Sequence, residues 1–141
     1  MLTEVALVAL TVTVAAGLTM FVRMLRSRRM PRLIWLHAPT VMLPYAGWLA
    51  YTVSDDRPRW LGVSVLLVLV TAGMPSGDQL MLKGWRGRVT RDGRSAPTGM
   101  RAYAAAAWEI IRFRRPVASV HALAGAVGFF SVLLVTLGVA G

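Results

Sequence analysis

Two histidines are the residues of this sequence best suited to chemistry inside an apolar environment. His37 follows an arginine cluster near the start of one apolar segment, and His121 lies near the start of the last one. Each lies about one helical turn into its segment, so a helical bundle would hold the two imidazoles at the same depth. Imidazole binds metals and exchanges protons near neutral pH. His37 and His121 are therefore the candidate polar groups within the apolar segments.

Two interpretations of this histidine pair stay open. Facing helices that each supply one histidine can hold a b-type haem through both axial positions. Two unrelated histidines near helix ends, each with a structural role in its own hydrogen-bond network, would produce the same pattern. Ser119 lies close to His121 in sequence, but positions two apart on a helix point to different faces.

The carboxylates lie outside the middle of the apolar segments. Glu4, Asp55, Asp56 and Asp78 fall at segment ends or in a short loop, and Glu109 lies in a basic region. A protein that transports protons or cations by itself normally keeps a protonatable or coordinating group near the membrane midplane. This chain alone is therefore not expected to be a translocating unit.

The sequence lacks the common catalytic patterns. It has no glycine-rich phosphate loop, no histidine pair at metal-binding spacing and no serine in a nucleophile elbow. With no cysteine, thiolate metal sites and disulfides are excluded. We predict no enzymatic activity, no catalytic residues, no metal site and no cofactor, with haem b held by His37 and His121 as the alternative.

Four apolar segments can position these histidines. A bilayer core of about 30 Å requires about 20 apolar residues in a helix. The chain is 56% hydrophobic and 16% charged, which is too apolar for a typical soluble domain. The fold is therefore predicted to be an all-α, polytopic integral membrane protein. Residues 1–141 form a single membrane domain with four transmembrane helices at about 5–22, 33–53, 60–75 and 117–139.

The basic residues mark one side of the membrane. Of the sixteen, all but Arg57 and Arg59 fall in two segments that four spans bring to the same side. The positive-inside rule then predicts basic loops in the cytoplasm and both termini outside the cell (inner) membrane. The partners expected are membrane lipids, including anionic headgroups, and no nucleic acid. Predicted topology and headgroup contacts are Arg23, Arg26, Arg28, Arg29, Arg32, Arg112, Arg114 and Arg115.

The second basic segment is predicted to be a cytoplasmic loop at about 83–116. Its glycines and arginines from Lys83 to Gly99 are typical of irregular surface structure. The alanine-rich stretch that follows predicts a helix at about 100–114, with Thr98 as its cap. Its apolar face, bordered by Trp108, favours a helix lying against the headgroups. A solvated connector whose arginines only set the topology is the alternative.

The stretch RMPRLIWLHA resembles part of a known family. It is similar to the cytoplasmic start of the second span in the small G subunit of Mrp-type multisubunit monovalent cation/proton antiporters. There an arginine, a proline and an acidic residue lead into Arg-Leu-His-Ala. The stretch TAGMPSGDQLMLKGWRG places Pro75, Gln79 and Lys83 at the four-residue spacing that this family shows at the end of its third span. The resemblance covers about residues 5–87. The positions that fall on the family's motif, whether or not the residue type is the same, are Pro31, Leu36, His37, Ala38, Pro75, Gln79 and Lys83.

The sequence departs from that family at defined positions. Arg32 replaces the acidic residue, Trp35 replaces the arginine before Leu36, and Gln79 replaces a second histidine. Val41 stands where the family has a lysine, and the fourth span is additional.

The resemblance implies a small accessory subunit of a multi-subunit inner-membrane complex, such as a cation/proton antiporter, with other membrane subunits as partners. Two alternatives remain: a b-type haem-binding membrane protein with two axial histidines, and a stand-alone membrane protein without catalytic activity.

Overall fold

The computed structural model describes residues 1–28, 30–74 and 76–139, except for the side chains of Ser76 and Asp78. Over these ranges the chain is helical and contains no strand, which confirms the all-α class. Arg29 and Pro75, which the sequence assigned to topology and to the family motif, lie outside the described residues. The helices are α1 (Leu2–Arg26), α2 (Ile34–Val53), α3 (Arg57–Gly73), α4 (Ser76–Arg91), α5 (Gly99–Ile111) and α6 (Pro116–Thr136).

The first and last helices form the most extensive contact of the fold. A Cβ added at Gly128 of α6 would lie 2.8 Å from Leu10 Cδ2 of α1, and one at Gly125 would lie 3.5 Å from Thr13 Cγ2. At the other end of α6, His121 lies beside Gly17. Residue numbers rise along α6 as they fall along α1, so the two helices are antiparallel. Glycine allows this close approach because it has no side chain.

Helices α2 and α3 pair around a backbone defect. Pro44 has no N–H, so the carbonyl of Thr40 loses its normal partner within the helix. The hydroxyl of Thr71 on α3 donates to that carbonyl at 2.7 Å and also contacts its own Leu67 carbonyl at 2.8 Å. A carbonyl freed in this way inside a helix bundle requires a donor from a neighbouring group, and Thr71 provides it at Pro44.

Trp48 ties α2 to the beginning of α1. Its side chain is fully buried, and its indole N–H donates to the carbonyl of Thr3 at 3.3 Å. It packs with Ala6, Val68 and Val132, so residues of four helices meet in one core cluster. At the opposite end of α1 and α2, the rings of Phe21 and Trp35 lie 6.0 Å apart. These contacts make α1 and α2 antiparallel.

Helix α4 corrects one prediction. The segment from Lys83 was expected to be irregular, but it is helical as far as Arg91. Its apolar side chains recur at helical spacing and pack against the alanine face of α5, which stabilises a helix despite two glycines. Only the remainder, about 92–98, is irregular. The packed residues are Leu82, Trp85, Val89, Ala102 and Ala106.

The other helices differ from the predicted bounds mainly at their ends. Helix α3 begins at Arg57 because Pro58 fits the first helical turn. Thr98 occupies the cap position of α5, but its side chain makes no capping hydrogen bond, and α5 ends at Ile111 rather than about 114. By length and composition, α1 and α6 are the described helices that could cross a membrane. Two such helices are by themselves weak evidence for a membrane protein.

Candidate functional site

The side chains of His37 and His121 lie close to each other between the helices. The ring centroids of His37 on α2 and His121 on α6 lie 5.8 Å apart, with the ring planes at 74°. The residues are 84 positions apart in sequence, so only the packing of the helices brings them together. Both side chains are partly buried. The equal depth predicted from counting helical turns is thus accompanied by direct proximity.

A hydrogen bond to α1 fixes the ring of His121. Its Nδ1 lies 2.8 Å from the carbonyl oxygen of Thr13. A carbonyl oxygen can only accept, so Nδ1 carries the proton and donates. In the neutral imidazole this leaves the lone pair on Nε2. Histidines that bind metals are commonly oriented in this way, by donating the second ring N–H to a backbone carbonyl or a carboxylate.

Each histidine lies against a glycine. A Cβ at Gly17 would lie 3.0 Å from Cε1 of His121, and a Cβ at Gly77 would lie 3.1 Å from Cε1 of His37. Both distances are tighter than ordinary van der Waals contact, so a side chain at either position would displace the ring. Gly17 and Gly77 therefore leave the space that the two imidazoles occupy.

The histidines line a cavity of about 650 Å³ between the helices. This volume falls within the range of about 300–1,000 Å³ typical of small-molecule and cofactor sites. One end is apolar, with Leu10, Pro44 and Val68 among its lining residues, and Phe129 also lies there. The His37–His121 pair lies between this apolar end and a charged end.

The charged end contains more positive than negative side chains. Lys83, Arg88 and Arg115 line it together with Glu109. Arg88 donates to Glu109 at 2.7 Å, in an ion pair between α4 and α5 that is about one quarter exposed on each side. Burial lowers the pKa of Arg115, and the positive charge of Arg88 lowers it further. The arrangement can accept an apolar molecule with anionic groups at one edge.

The sequence matches no protein-family model, no curated protein and no solved structure. Function must therefore be inferred from the site itself.

The predicted topology arginines cluster at the end of the bundle where α1 ends and α6 begins. Arg23 and Arg26 lie in the last turn of α1, and Arg28 follows with a left-handed φ of 52°. Arg32 precedes α2, whereas Arg112 and Arg114 follow α5. Of the predicted set, Arg115 is the described arginine that lines the cavity. Arg112 lies over the exposed Trp108 ring, 4.9 Å from its centroid.

The fold brings together only some of the residues at the positions of the antiporter-subunit motif. Pro31, His37 and Lys83 line the cavity. Leu36 and Gln79 are exposed, and Ala38 is partly buried, away from the cavity lining. The family motif therefore does not form one cluster among the described residues.

Several residues of the site carried no recognisable sequence signal. Three groups contribute only because they contact an imidazole ring, and these contacts depend on how the helices are rotated. They are Gly17, Gly77 and the backbone carbonyl of Thr13. The Arg88–Glu109 pair depends on α4, whose helix was not expected. The one available signal was the spacing of Leu82, Trp85 and Val89, which fits a helix face.

Proposed function

We propose that this chain is a four-span membrane protein that binds one b-type haem between His37 and His121. The observation that carries the proposal is the 5.8 Å separation of two imidazoles from different helices inside a cofactor-sized cavity. Haem supplies reversible one-electron chemistry when it is bound. The protein would contribute the axial ligands, their orientation and an apolar enclosure.

The distance between the rings fits axial ligation. His37 and His121 come from two different helices and would hold the haem between them. The observed separation is 5.8 Å.

The surroundings of His121 support the same function. Its Nδ1–H donates to Thr13, which holds the tautomer whose Nε2 can bind iron and makes the ring a stronger ligand. Gly17 permits the ring to occupy its position. Largely apolar walls limit access of water to a bound group and so influence its reduction potential.

The four-span arrangement is supported by antiparallel packing and by charge. Helices α1, α2, α3 and α6 alternate in direction, which brings both basic segments to one end of the bundle. The loop at the other end carries Asp55 and Asp56 beside Arg57 and Arg59. The positive-inside rule then assigns the basic end and the histidine pair to the cytoplasmic side.

A visible absorption spectrum tests the haem proposal. The protein is expressed with haem precursor supplied, purified in detergent, and measured before and after reduction with dithionite. We expect a Soret band and, after reduction, the sharp bands of low-spin iron with two axial nitrogen ligands. Wild-type protein without a Soret band, even after incubation with haemin, would contradict the proposed function.

Two variants connect the spectrum to the ligands. The chain has only two histidines, so no other imidazole can replace a missing one. We expect His37→Ala and His121→Ala each to abolish the low-spin spectrum. Gly62→Ala is the matched control, because a Cβ there meets nothing within 4 Å. A low-spin spectrum that persists in both histidine variants would show that haem binds elsewhere.

The accessory-subunit function remains a prediction that rests on the residues around His37. Among the described residues no contact favours it over haem binding. Co-purification of the tagged chain with large antiporter subunits would support it, and a haem-containing protein isolated without such subunits would argue against it.

A further inference from the structure

The charged end of the cavity has two cations without a described ion-pair partner. Glu109 pairs with Arg88, and neither Lys83 nor Arg115 takes part in an ion pair within the described parts of the chain. Among the described side chains that line this end, three cations and one carboxylate leave a local charge of two positive units. A ligand with two anionic groups at one edge would balance it.

Arg115 has a fixed relation to the proposed axial ligand. It precedes His121 by six residues, which corresponds to about 9 Å along a helix axis. It caps the start of α6, and both residues line the same cavity. A group bound at Arg115 would therefore lie at the edge of a molecule whose centre is held at His121. Lys83 on α4 lines the cavity from a second helix.

We propose that Arg115 and Lys83 bind the two propionate carboxylates of the haem and so fix which edge of the porphyrin faces the charged end. This inference rests on the proposed haem function. Guanidinium and ammonium groups form charge-assisted hydrogen bonds with carboxylates, and arginine can do so with two parallel bonds. The porphyrin body then extends past the histidines into the apolar end of the cavity.

A comparison of haem with its dimethyl ester tests binding of the iron porphyrin separately from binding of its propionate carboxylates. The ester has the same iron and ring but no carboxylate charge. Apoprotein in a neutral detergent is titrated with each compound, and binding is followed by the Soret band. We expect Arg115→Gln to weaken binding of haem by about tenfold and to leave binding of the ester unchanged. Both side chains are exposed, but lysine cannot form the two parallel hydrogen bonds that arginine forms with a carboxylate, so Lys83→Gln should have a smaller effect of the same kind.

Matched variants separate charge from folding. Arg114→Gln removes the neighbouring arginine, which is exposed like Arg115 but does not line the cavity, so it should bind both compounds like wild type. Arg115→Lys retains the charge and should recover most of the affinity for haem. Thermal unfolding of each apoprotein shows whether a variant is folded.

The outcomes are distinguishable. If wild-type protein binds neither compound, the haem function itself is wrong. If wild type binds both, and Arg115→Gln binds haem as tightly as wild type or weakens both compounds equally, the haem function stands and the propionate assignment is wrong. Preferential weakening of haem in Arg115→Gln, with Arg114→Gln unaffected, supports the assignment.

Discussion

At the scale of single residues, two groups of α1 determine where the His121 ring lies. The Thr13 carbonyl accepts the Nδ1–H, and Gly17 leaves room for the carbon beside it. The hydroxyl of Thr13 does not compete for the ring, since it donates to the carbonyl of Ala9 at 2.8 Å. No side-chain substitution removes the Thr13 carbonyl. Gly17 is therefore the position through which the ring can be moved by mutation.

Gly17→Val is expected to reduce the haem binding that we propose. The first added carbon would already lie 3.0 Å from Cε1 and 3.2 Å from Nδ1 of His121, so the ring must turn or the helices must separate. Overpacking of this kind costs about 1–3 kcal/mol, which corresponds to a loss of affinity of about 5-fold to 150-fold. Titration with haemin measures the effect. Gly62→Val, at a position facing open space, is the control, and equal affinity of the two variants would contradict the account.

At the level of helices, small and polar residues make the contacts that join neighbouring helices. Thr71 bridges α3 to the carbonyl that Pro44 leaves without a helical partner. Gly128 lets α6 approach Leu10 on α1. Both contacts involve the backbone, so they fix helix spacing and register as well as stability.

Thr71→Val should destabilise the α2–α3 pair by about 1 kcal/mol, because the Thr40 carbonyl then lacks a donor in an apolar environment. Thermal unfolding in detergent provides the measurement. Thr11→Val is the matched control, since that exposed hydroxyl donates only to the Leu7 carbonyl of its own helix. If both variants unfold at the wild-type temperature, the hydrogen bond across the helices does not contribute to stability.

Gly128→Ala should destabilise the α1–α6 pair by about 1–3 kcal/mol through overpacking. The new methyl group would lie 2.8 Å from Cδ2 and 2.9 Å from Cγ of Leu10. Gly62→Ala adds the same methyl group where nothing lies within 4 Å, and it should gain up to about 1 kcal/mol from higher helix propensity. Thermal unfolding measures both effects. An unfolding temperature of Gly128→Ala equal to or higher than that of Gly62→Ala would refute this packing argument.

The helices themselves were largely predictable, whereas their mutual arrangement was not. Apolar runs located α1, α2, α3 and α6 to within a few residues, because hydrophobicity and proline positions are local properties. Helix α4 was missed since its glycines and arginines concealed three apolar residues at helical spacing. Counting turns placed His37 and His121 at one depth. Their contact, and the glycines against them, depend on helix rotation, which the packing of all neighbours determines.

At the scale of the whole molecule, the distribution of charge makes the two ends of the bundle different. The α2–α3 loop is balanced in charge, whereas the other end carries most of the arginines. The α4–α5 pair lies at that basic end and closes part of the cavity through the Arg88–Glu109 contact. If the bundle spans a membrane, this asymmetry determines its orientation.

Cysteine labelling of intact cells should reveal the orientation. The chain has no native cysteine, so single introduced thiols give an unambiguous signal. Asp55 in the α2–α3 loop and Ser95 between α4 and α5 are both exposed. A membrane-impermeant maleimide should label Asp55→Cys in intact cells, but label Ser95→Cys only after the cells are permeabilised. The opposite pattern, or equal labelling, would contradict a basic cytoplasmic end.

The pairing of α1 with α6 also sets the order in which the protein can mature. The hydrogen bond from His121 to the Thr13 carbonyl joins residues 108 positions apart, so α1 to α5 have all been made before its donor exists. During synthesis, α1 is therefore without its main partner until α6 has been made. The His37–His121 pair can form only after that point, because His121 lies on α6. Any nascent chain that stops before α6 would leave the Gly17 face of α1 without the ring that packs against it.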